Sequence, residues 1–308
     1  MNLAPIVLFV YNRPAETRQT LEALAENHLA DESVLYVFAD GPKEDASPEQ
    51  CKSIDEVRAL VQSRRWCKEV ILYESKRNNG LANSVIRGVT EIAGRHGKII
   101  VLEDDIITSP FFLTYLNEGL EVYKDARHVY AINGYMFPIE TQRIDTFLSP
   151  LATSTWGWAT WADRWKAFET EPSAVQIIQS NHFLRSRFNV GDYNYADMLN
   201  NRNSWGIRWY YSVFRRNGLG LFPTRSLCYN IGFGENATHT KTEMAQSAIY
   251  KDALSVELKD AIDLEMQAKL FDHFTARKIE TPKPTFASFV MRFKKKLYKK
   301  LKYAKKGD

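Results

Sequence analysis

Between Ile6 and Leu102, apolar strand-like runs alternate with helix-length segments, and that alternation admits few folds. Ile6–Tyr11 reads as a first strand, and Pro14 suits the first position of a helix reaching about Asn27. Val34–Ala39 is a second strand, closed by the turn residues Asp40-Gly41-Pro42. A helix over Pro48–Arg65 leads to strand Glu69–Tyr73, and Asn79-Gly80 opens a further helix to about Arg95. Lys98–Leu102 is then a fourth strand. Strand–helix–strand repeats of this length make right-handed crossovers and predict an α/β fold, a doubly wound, mostly parallel sheet flanked by helices. Ligands on such a sheet bind beyond the carboxyl ends of its strands.

The fourth strand runs straight into Glu103-Asp104-Asp105. Consecutive carboxylates at a strand end repel one another unless a cation lies among them, and hard divalent cations prefer oxygen ligands. A metal clamp for a phosphorylated substrate is the reading favoured here. The plainer alternative is an acidic cap on the helix that Thr108-Ser109-Pro110 opens, for which one acid would suffice.

The second half is less regular. Val129–Asn133, Thr146–Leu148 and Leu219–Phe222 read as strands, Trp205–Arg216 as an amphipathic helix, and Trp156–Trp161 as a Gly/Trp loop. No internal repeat and no Ser/Pro-rich linker interrupts the chain. The expected organisation is a catalytic domain over 1–245, a helical extension over 246–284 and a basic tail over 285–308.

Charge separates that tail from the body. The net charge is +4, yet residues 292–306 hold nine Lys/Arg and no acid. Without them and Asp308 the chain has 32 basic and 36 acidic residues, a body near −4 with no nucleic-acid footprint. Phe289, Phe293, Leu297 and Leu301 recur every four residues through the basic run. This amphipathic pattern suits an anionic membrane surface, where each Lys or Arg contributes about 1 kcal/mol. Cys51, Cys67 and Cys228 show no CxxC spacing and an odd count, as in a reducing compartment. The apolar start ends at once in Tyr11-Asn12-Arg13, so it reads as a strand and not a leader, and no run nears the ~20 apolar residues of a membrane span. The expected location is cytoplasmic, peripheral on the inner face of the membrane.

Several residues follow predicted strands. Arg13 lies in a strand-to-helix turn suited to a pyrophosphate or nucleobase, or to an ordinary surface. Asp40 could accept from a nucleobase or ribose, or simply hold its turn. Asn79 and Asn83 flank Gly80-Leu81, as helix caps or as contacts to the nucleotide sugar. Trp156 and Trp158 offer indole faces to sugar rings, with Thr155 and Thr160 beside them, whereas Trp161 and Trp165 suit core packing. His239 is a surface histidine or a softer metal ligand.

Tyr11-Asn12-Arg13-Pro14, Asp40-Gly41, Asn79-Gly80-Leu81-Ala82-Asn83, Val101-Leu102-Glu103-Asp104-Asp105 followed by Phe111-Phe112, and Gly157-Trp158 together resemble nucleotide-sugar glycosyltransferases of the GT-A fold. The resemblance is to bacterial family 2-like sugar transferases related to the N-acetylglucosaminyltransferase I group, over roughly residues 4–240. It implies an inverting transfer from a UDP-sugar, UDP-GlcNAc by analogy, to a glycan or lipid-linked acceptor in surface polysaccharide synthesis. Arg13 and Asp40 would contact the uridine diphosphate, and Asn79 and Asn83 would lie beside the donor. Glu103 and Asp104 would touch donor sugar and ribose, and Asp105, joined by His239, would bind Mn2+ or Mg2+. Trp205 would join Trp156 and Trp158 in substrate contact.

One departure concerns the catalytic base. The family carries an acid just after a Trp; here Trp205 is followed by Gly206, which cannot take a proton. Asp192 and Asp197 are the nearby substitutes, or plain surface acids. Two rivals stand beside this reading. A nucleotidyltransferase would need a glycine-rich phosphate loop, which Tyr11-Asn12-Arg13-Pro14 lacks. A non-catalytic sugar-nucleotide or glycan-binding module would fit Gly206.

Overall fold

The computed structural model describes residues 2–201, 203–233 and 245–275. The first half follows the alternation: β1 (Ile6–Val10), α1 (Pro14–Ala25), β2 (Val34–Ala39), α2 (Pro48–Gln62), β3 (Glu69–Glu74), α3 (Leu81–His96) and β4 (Lys98–Glu103). Ser47 and Gln50 form a reciprocal capping box at the start of α2. Gly97 at φ 80° ends α3, in the left-handed conformation that favours glycine. Beyond it come β5 (Ile106–Thr108), α4 (Phe112–Val122), β6 (Val129–Asn133), β7 (Thr146–Ser149) and β8 (Trp158–Trp161). Four short helices follow, α5 (Ala162–Trp165), α6 (Val175–Ser180), α7 (His182–Phe188) and α8 (Tyr195–Met198). The described part closes with α9 (Trp205–Phe214), β9 (Leu219–Pro223), β10 (Cys228–Asn230) and α10 (Leu264–Thr275).

Eight strands form one sheet in the order β3-β2-β1-β4-β8-β6-β9-β7. The β3-β2-β1-β4 half is parallel throughout, as the crossovers require. Beyond β4 the sheet is mixed: β8 runs antiparallel to both β4 and β6, and β7 antiparallel to β9. Alternation along each strand feeds two cores. Leu8, Val37, Ile100 and Leu102 pack with Leu21, Val57, Leu113 and Leu116 on one face. Val7, Phe9, Ile99 and Val101 pack with Val85, Val89, Ile92 and Trp158 on the other.

Two readings of the sequence are corrected. The Gly/Trp stretch 156–161 is not a loop: Trp158–Trp161 is a fully buried strand wedged between β4 and β6. Buried on both faces, it lacks the period-2 pattern of a half-exposed strand. Gly157, at φ 63°, makes the turn directly before it, where a side chain would strike the Phe112 ring at 2.9 Å. The segment expected to be a helical extension begins as an irregular strap. Leu254 and Val256 are buried in the first core, Tyr123 Oη donates to Glu257 O, and helix begins only at Leu264.

Candidate active site

β1 lies between β2 and β4, with Phe9 in register with Glu103, so the turns after these strands open at one edge of the sheet. There Arg13, the residue before α1, reaches across to the acidic triplet. Its Nη1 donates to Asp105 Oδ2 at 2.9 Å and lies 3.8 Å from Asp104 Oδ1. Thr20 Oγ1 donates to the Asp104 carbonyl at 2.9 Å, fastening the turn to α1. The β5–β10 ribbon holds the other side. Ile231 N donates to Asp105 O at 2.9 Å, and Gly232 packs so closely that a Cβ would lie 1.9 Å from Asp105 Oδ2.

The triplet is electrostatically loaded. Burial, then the charges of Asp105 and Asp104, push the Glu103 carboxyl well above the ordinary carboxylate range. Burial and Asp105 do the same to Asp104, while Arg13 pulls back. Asp105 is also raised by burial, against the opposing pull of Arg13. Trp205 Nε1 donates to Glu103 Oε1 at 3.3 Å. Trp205 in turn stacks on Trp158 at 5.6 Å, within an indole cluster that includes Trp165 and Trp209. An apolar wall of this kind disfavours ionisation, so the triplet either keeps a proton or is fully charged only with a cation beside it.

Asp40 faces the same edge, but its carboxylate is already engaged. It accepts from Gly41 N at 2.9 Å, Asn79 N at 2.9 Å, Asn79 Nδ2 at 3.1 Å and Gly80 N at 2.9 Å. It thereby ties the turn after β2 to the start of α3. Asn83 Nδ2 donates back to Asn79 O at 2.9 Å. The structure thus brings Arg13, Asp40, Asn79, Asn83 and the triplet to one edge, with Asp40 and Asn79 bonded to each other.

The other candidates divide. Trp158 is wholly buried and cannot stack on a sugar; it is a core residue, as the burial of β8 on both faces demands. Thr160, also wholly buried, donates to Tyr130 O at 2.7 Å. Trp156 is half-buried beside Tyr135 and Phe233, and Trp205 is only 4% exposed. Asp197 is exposed and accepts from Arg185 Nη2 at 2.8 Å and from Asn194, while Asp192 is exposed in the turn before α8. A Cβ on Gly206 would lie 3.0 Å from Thr155 Cγ2, and Thr155 itself sits at φ 63°, so that side chain occupies the space an acid would need. A β-branched residue in this region is rare. His239 lies outside the described residues. The β5–β10 ribbon and Gly232 were not foreseen as supports of the site, although Asn230-Ile-Gly-Phe-Gly was a visible turn signal.

The residues suit a divalent cation in one specific respect. Asp105 Oδ1 is buried with no hydrogen-bond partner among the described residues, while Oδ2 is held by Arg13. Among the described residues no three His, Cys, Asp or Glu side chains converge as a ready-made metal cluster. Mg2+-like ions are commonly held by one or two carboxylates together with substrate phosphates and water, and the Asp105 oxygen fits that pattern.

Residues 6–141 match the family model described as glycosyl transferase family 2. That match spans 136 of the 308 residues, from β1 to β6, and takes in Arg13, Asp40 and the acidic triplet. No curated protein matches the chain in sequence. Among solved structures, Staphylococcus aureus TarS 1–349 is 8% identical with a TM-score of 0.41, over 74% of this chain and 60% of that one.

 Mouse xyloside xylosyltransferase 1, in its apo form, is 10% identical, with a TM-score of 0.36 over 69% of this chain and 81% of that one. Glucosyl-3-phosphoglycerate synthase from Mycobacterium tuberculosis, in complex with Mn2+, uridine diphosphate and glucosyl-3-phosphoglycerate, is 12% identical, with a TM-score of 0.33 over 55% of this chain and 59% of that one. This chain spans less than two thirds of the TarS length, and likenesses this distant carry no argument about chemistry.

Proposed function

We propose that this chain is a glycosyltransferase of GT-A type that moves a sugar, GlcNAc by analogy, from a UDP-sugar to a glycan or lipid-linked acceptor in bacterial surface polysaccharide synthesis, with a divalent cation at Asp105. The observation that carries the reading is the half-used Asp105 carboxylate beside Arg13 at the open edge of the sheet. Asp105, with His239 as the further ligand expected from the sequence, would hold Mn2+ or Mg2+. When bound, the ion neutralises charge building on the departing diphosphate. Arg13 faces the same charge, and a guanidinium suits phosphate oxygens. Glu103 and Asp104 would orient donor sugar and ribose, and Asn79 and Asn83 would line the donor. Asp40 would position that lining, since its own oxygens are already engaged. Trp156 and Trp205 remain the indoles proposed for substrate contact.

In the single displacement, the acceptor oxygen forms a bond to the anomeric carbon as the bond to the diphosphate oxygen breaks. The acceptor proton passes to a carboxylate base, for which Asp192 and Asp197 are proposed. Among the described residues no helix is long and apolar enough to cross a membrane. The basic tail, which lies outside the described residues, is proposed to hold the enzyme on the anionic cytoplasmic face of the inner membrane, as a separate segment after the 1–245 catalytic domain and the 246–284 extension.

The test is donor hydrolysis with Mn2+ across UDP-, GDP- and TDP-sugars. Release of UDP from UDP-sugars alone is expected. Turnover confined to GDP-sugars, or unaffected by chelation, would overturn the donor and metal assignments.

A further inference from the structure

The two edges of the eight-stranded sheet are finished differently. Along β7 the strap adds a parallel bridge between Leu148 and Ile262, and Asp263 N donates to Leu148 O at 3.2 Å. β3, at the other edge, has β2 on one side and, among the described residues, no strand on the other. Its interior, Val70-Ile71-Leu72-Tyr73, is half-buried and holds no Pro, Gly or charge. An apolar edge of this kind is a template for pairing with another chain. Ser75 N donates to Ala39 O at 2.9 Å, which sets the parity of the ladder. Odd-numbered residues bond to β2, so Val70, Leu72 and Glu74 turn their N–H and C=O groups outward.

We propose that β3 pairs antiparallel with β3 of a second copy of this chain, about a two-fold axis at Ile71, so that one sheet runs through both copies. Such pairing is self-complementary, the same surface serving each partner. Outward-facing residues must meet outward-facing residues, so the axis can fall at Val70, Ile71 or Leu72 but not between residues. With Ile71 on the axis, Val70 meets Leu72 of the second copy on the face of the first core. Ile71 then meets its own counterpart on the face of the second core. Apolar pairs directly opposite one another stabilise a sheet.

Charge selects this register. Lys68 is exposed and has no ion pair among the described residues. It falls opposite Glu74 of the second copy, whose side chain is 44% exposed and meets its own Arg58 at 3.5 Å. Glu69, also exposed and without an ion pair among the described residues, falls opposite Tyr73. The Tyr73 hydroxyl accepts from Arg95 Nη1 at 3.0 Å, and a guanidinium has five donors to share. The two-fold makes each of these contacts twice. An axis at Leu72 would instead set Lys68 against Lys76, and an axis at Val70 would set Lys68 against Leu72 and Glu69 against Ile71. An unrelated extended peptide has no such reason to match the charges at both ends of β3.

The experiment uses the full chain with Cys51→Ser, since Cys67 and Cys228 are buried. Val70→Cys, Ile71→Cys and Leu72→Cys are each incubated with oxidised glutathione and read by non-reducing electrophoresis. Residues facing each other at a non-hydrogen-bonded antiparallel position have Cα atoms about 4.5 Å apart, within the range of a disulfide. Ile71→Cys should therefore give a covalent dimer, roughly tenfold faster than either neighbour. Adding Lys68→Glu, which sets a carboxylate against Glu74, should slow that cross-link by a similar factor. Sedimentation equilibrium of the native chain should give twice the mass of one chain, and Lys68→Glu, at an exposed position, should shift it toward one. These two masses decide the matter even if a cysteine variant fails to fold. A native chain that sediments as a monomer would overturn the proposal. So would equal cross-linking rates at the three positions, or a dimer whose mass ignores Lys68→Glu and which Ile71→Cys does not trap.

Discussion

Arg13 Nη1 donates to Asp105 Oδ2 at 2.9 Å, while the buried Oδ1 of the same carboxylate has no hydrogen-bond partner among the described residues. That asymmetry leaves a hard donor atom available to a cation. In Asp105→Ala, the stabilisation of the protein by Mn2+ with a UDP-sugar should disappear. With ligand at a thousand times its Kd, the native protein gains about 4 kcal/mol. A thermal melt in which the variant gains as much as the native protein would remove the metal assignment.

Arg13→Ala tests the same pair from its other side. The guanidinium is mostly buried, and removing one partner of a buried pair costs about 3–5 kcal/mol. Without Arg13 the carboxylates repel unscreened, so Mn2+ should raise the Tm of the variant more than that of the native protein. Equal responses would show that the cation and the guanidinium serve different charges.

Trp158→Ala should destabilise the fold by about 3–5 kcal/mol, the range for truncating a buried Trp. Trp156→Ala, at a half-buried position, should cost less. Urea midpoints measure both, and equal midpoints would contradict the placement of Trp158 inside the sheet.

Alkylation of the native protein at pH 8 should label Cys51 alone. Burial pushes the Cys67 thiol up to about 12 and raises Cys228 well above its ordinary value, and both side chains are inaccessible. The thiolate is the reactive form, so neither should react before unfolding. Mass spectrometry showing a second label on folded protein would refute this.

Asp263 fastens the strap to the segment before β7, where Arg143 Nη1 donates to its Oδ2 at 2.7 Å. Burial alone would raise its pKa, but the Met266 N–H and the Arg143 guanidinium bring it below the ordinary value. A lowered acid contributes stability above the unfolded pKa of about 3.9 and loses it as pH falls through the folded value. Asp263→Asn should therefore destabilise the fold at pH 7, by ~1 kcal/mol at most for a partly exposed pair. The gap from the native protein should close toward pH 3; a constant gap would mean the carboxylate charge is irrelevant there.

The first half of the fold was legible because each crossover carries its own period and punctuation: Pro14 and Pro48 open helices, and Gly97 ends one. The triplet and Arg13 were legible because strand ends in a parallel sheet gather at one edge. β8 was not, since a strand buried on both faces shows no alternation and its pairing partners lie far away in sequence. Nor could spacing reveal that Asp40 binds Asn79 and Gly80, because that contact depends on how the turns after β2 and β3 meet.

The insertion of β8 between β4 and β6 also governs where this chain can be divided. A fragment ending at residue 141 would contain the whole family match yet lack the strand that covers β4. It would present an unpaired, strongly apolar edge, the kind of surface that recruits other chains. The boundary recognised by sequence kinship is therefore no boundary of folding, and residues 158–161 belong to the smallest piece that can stand alone.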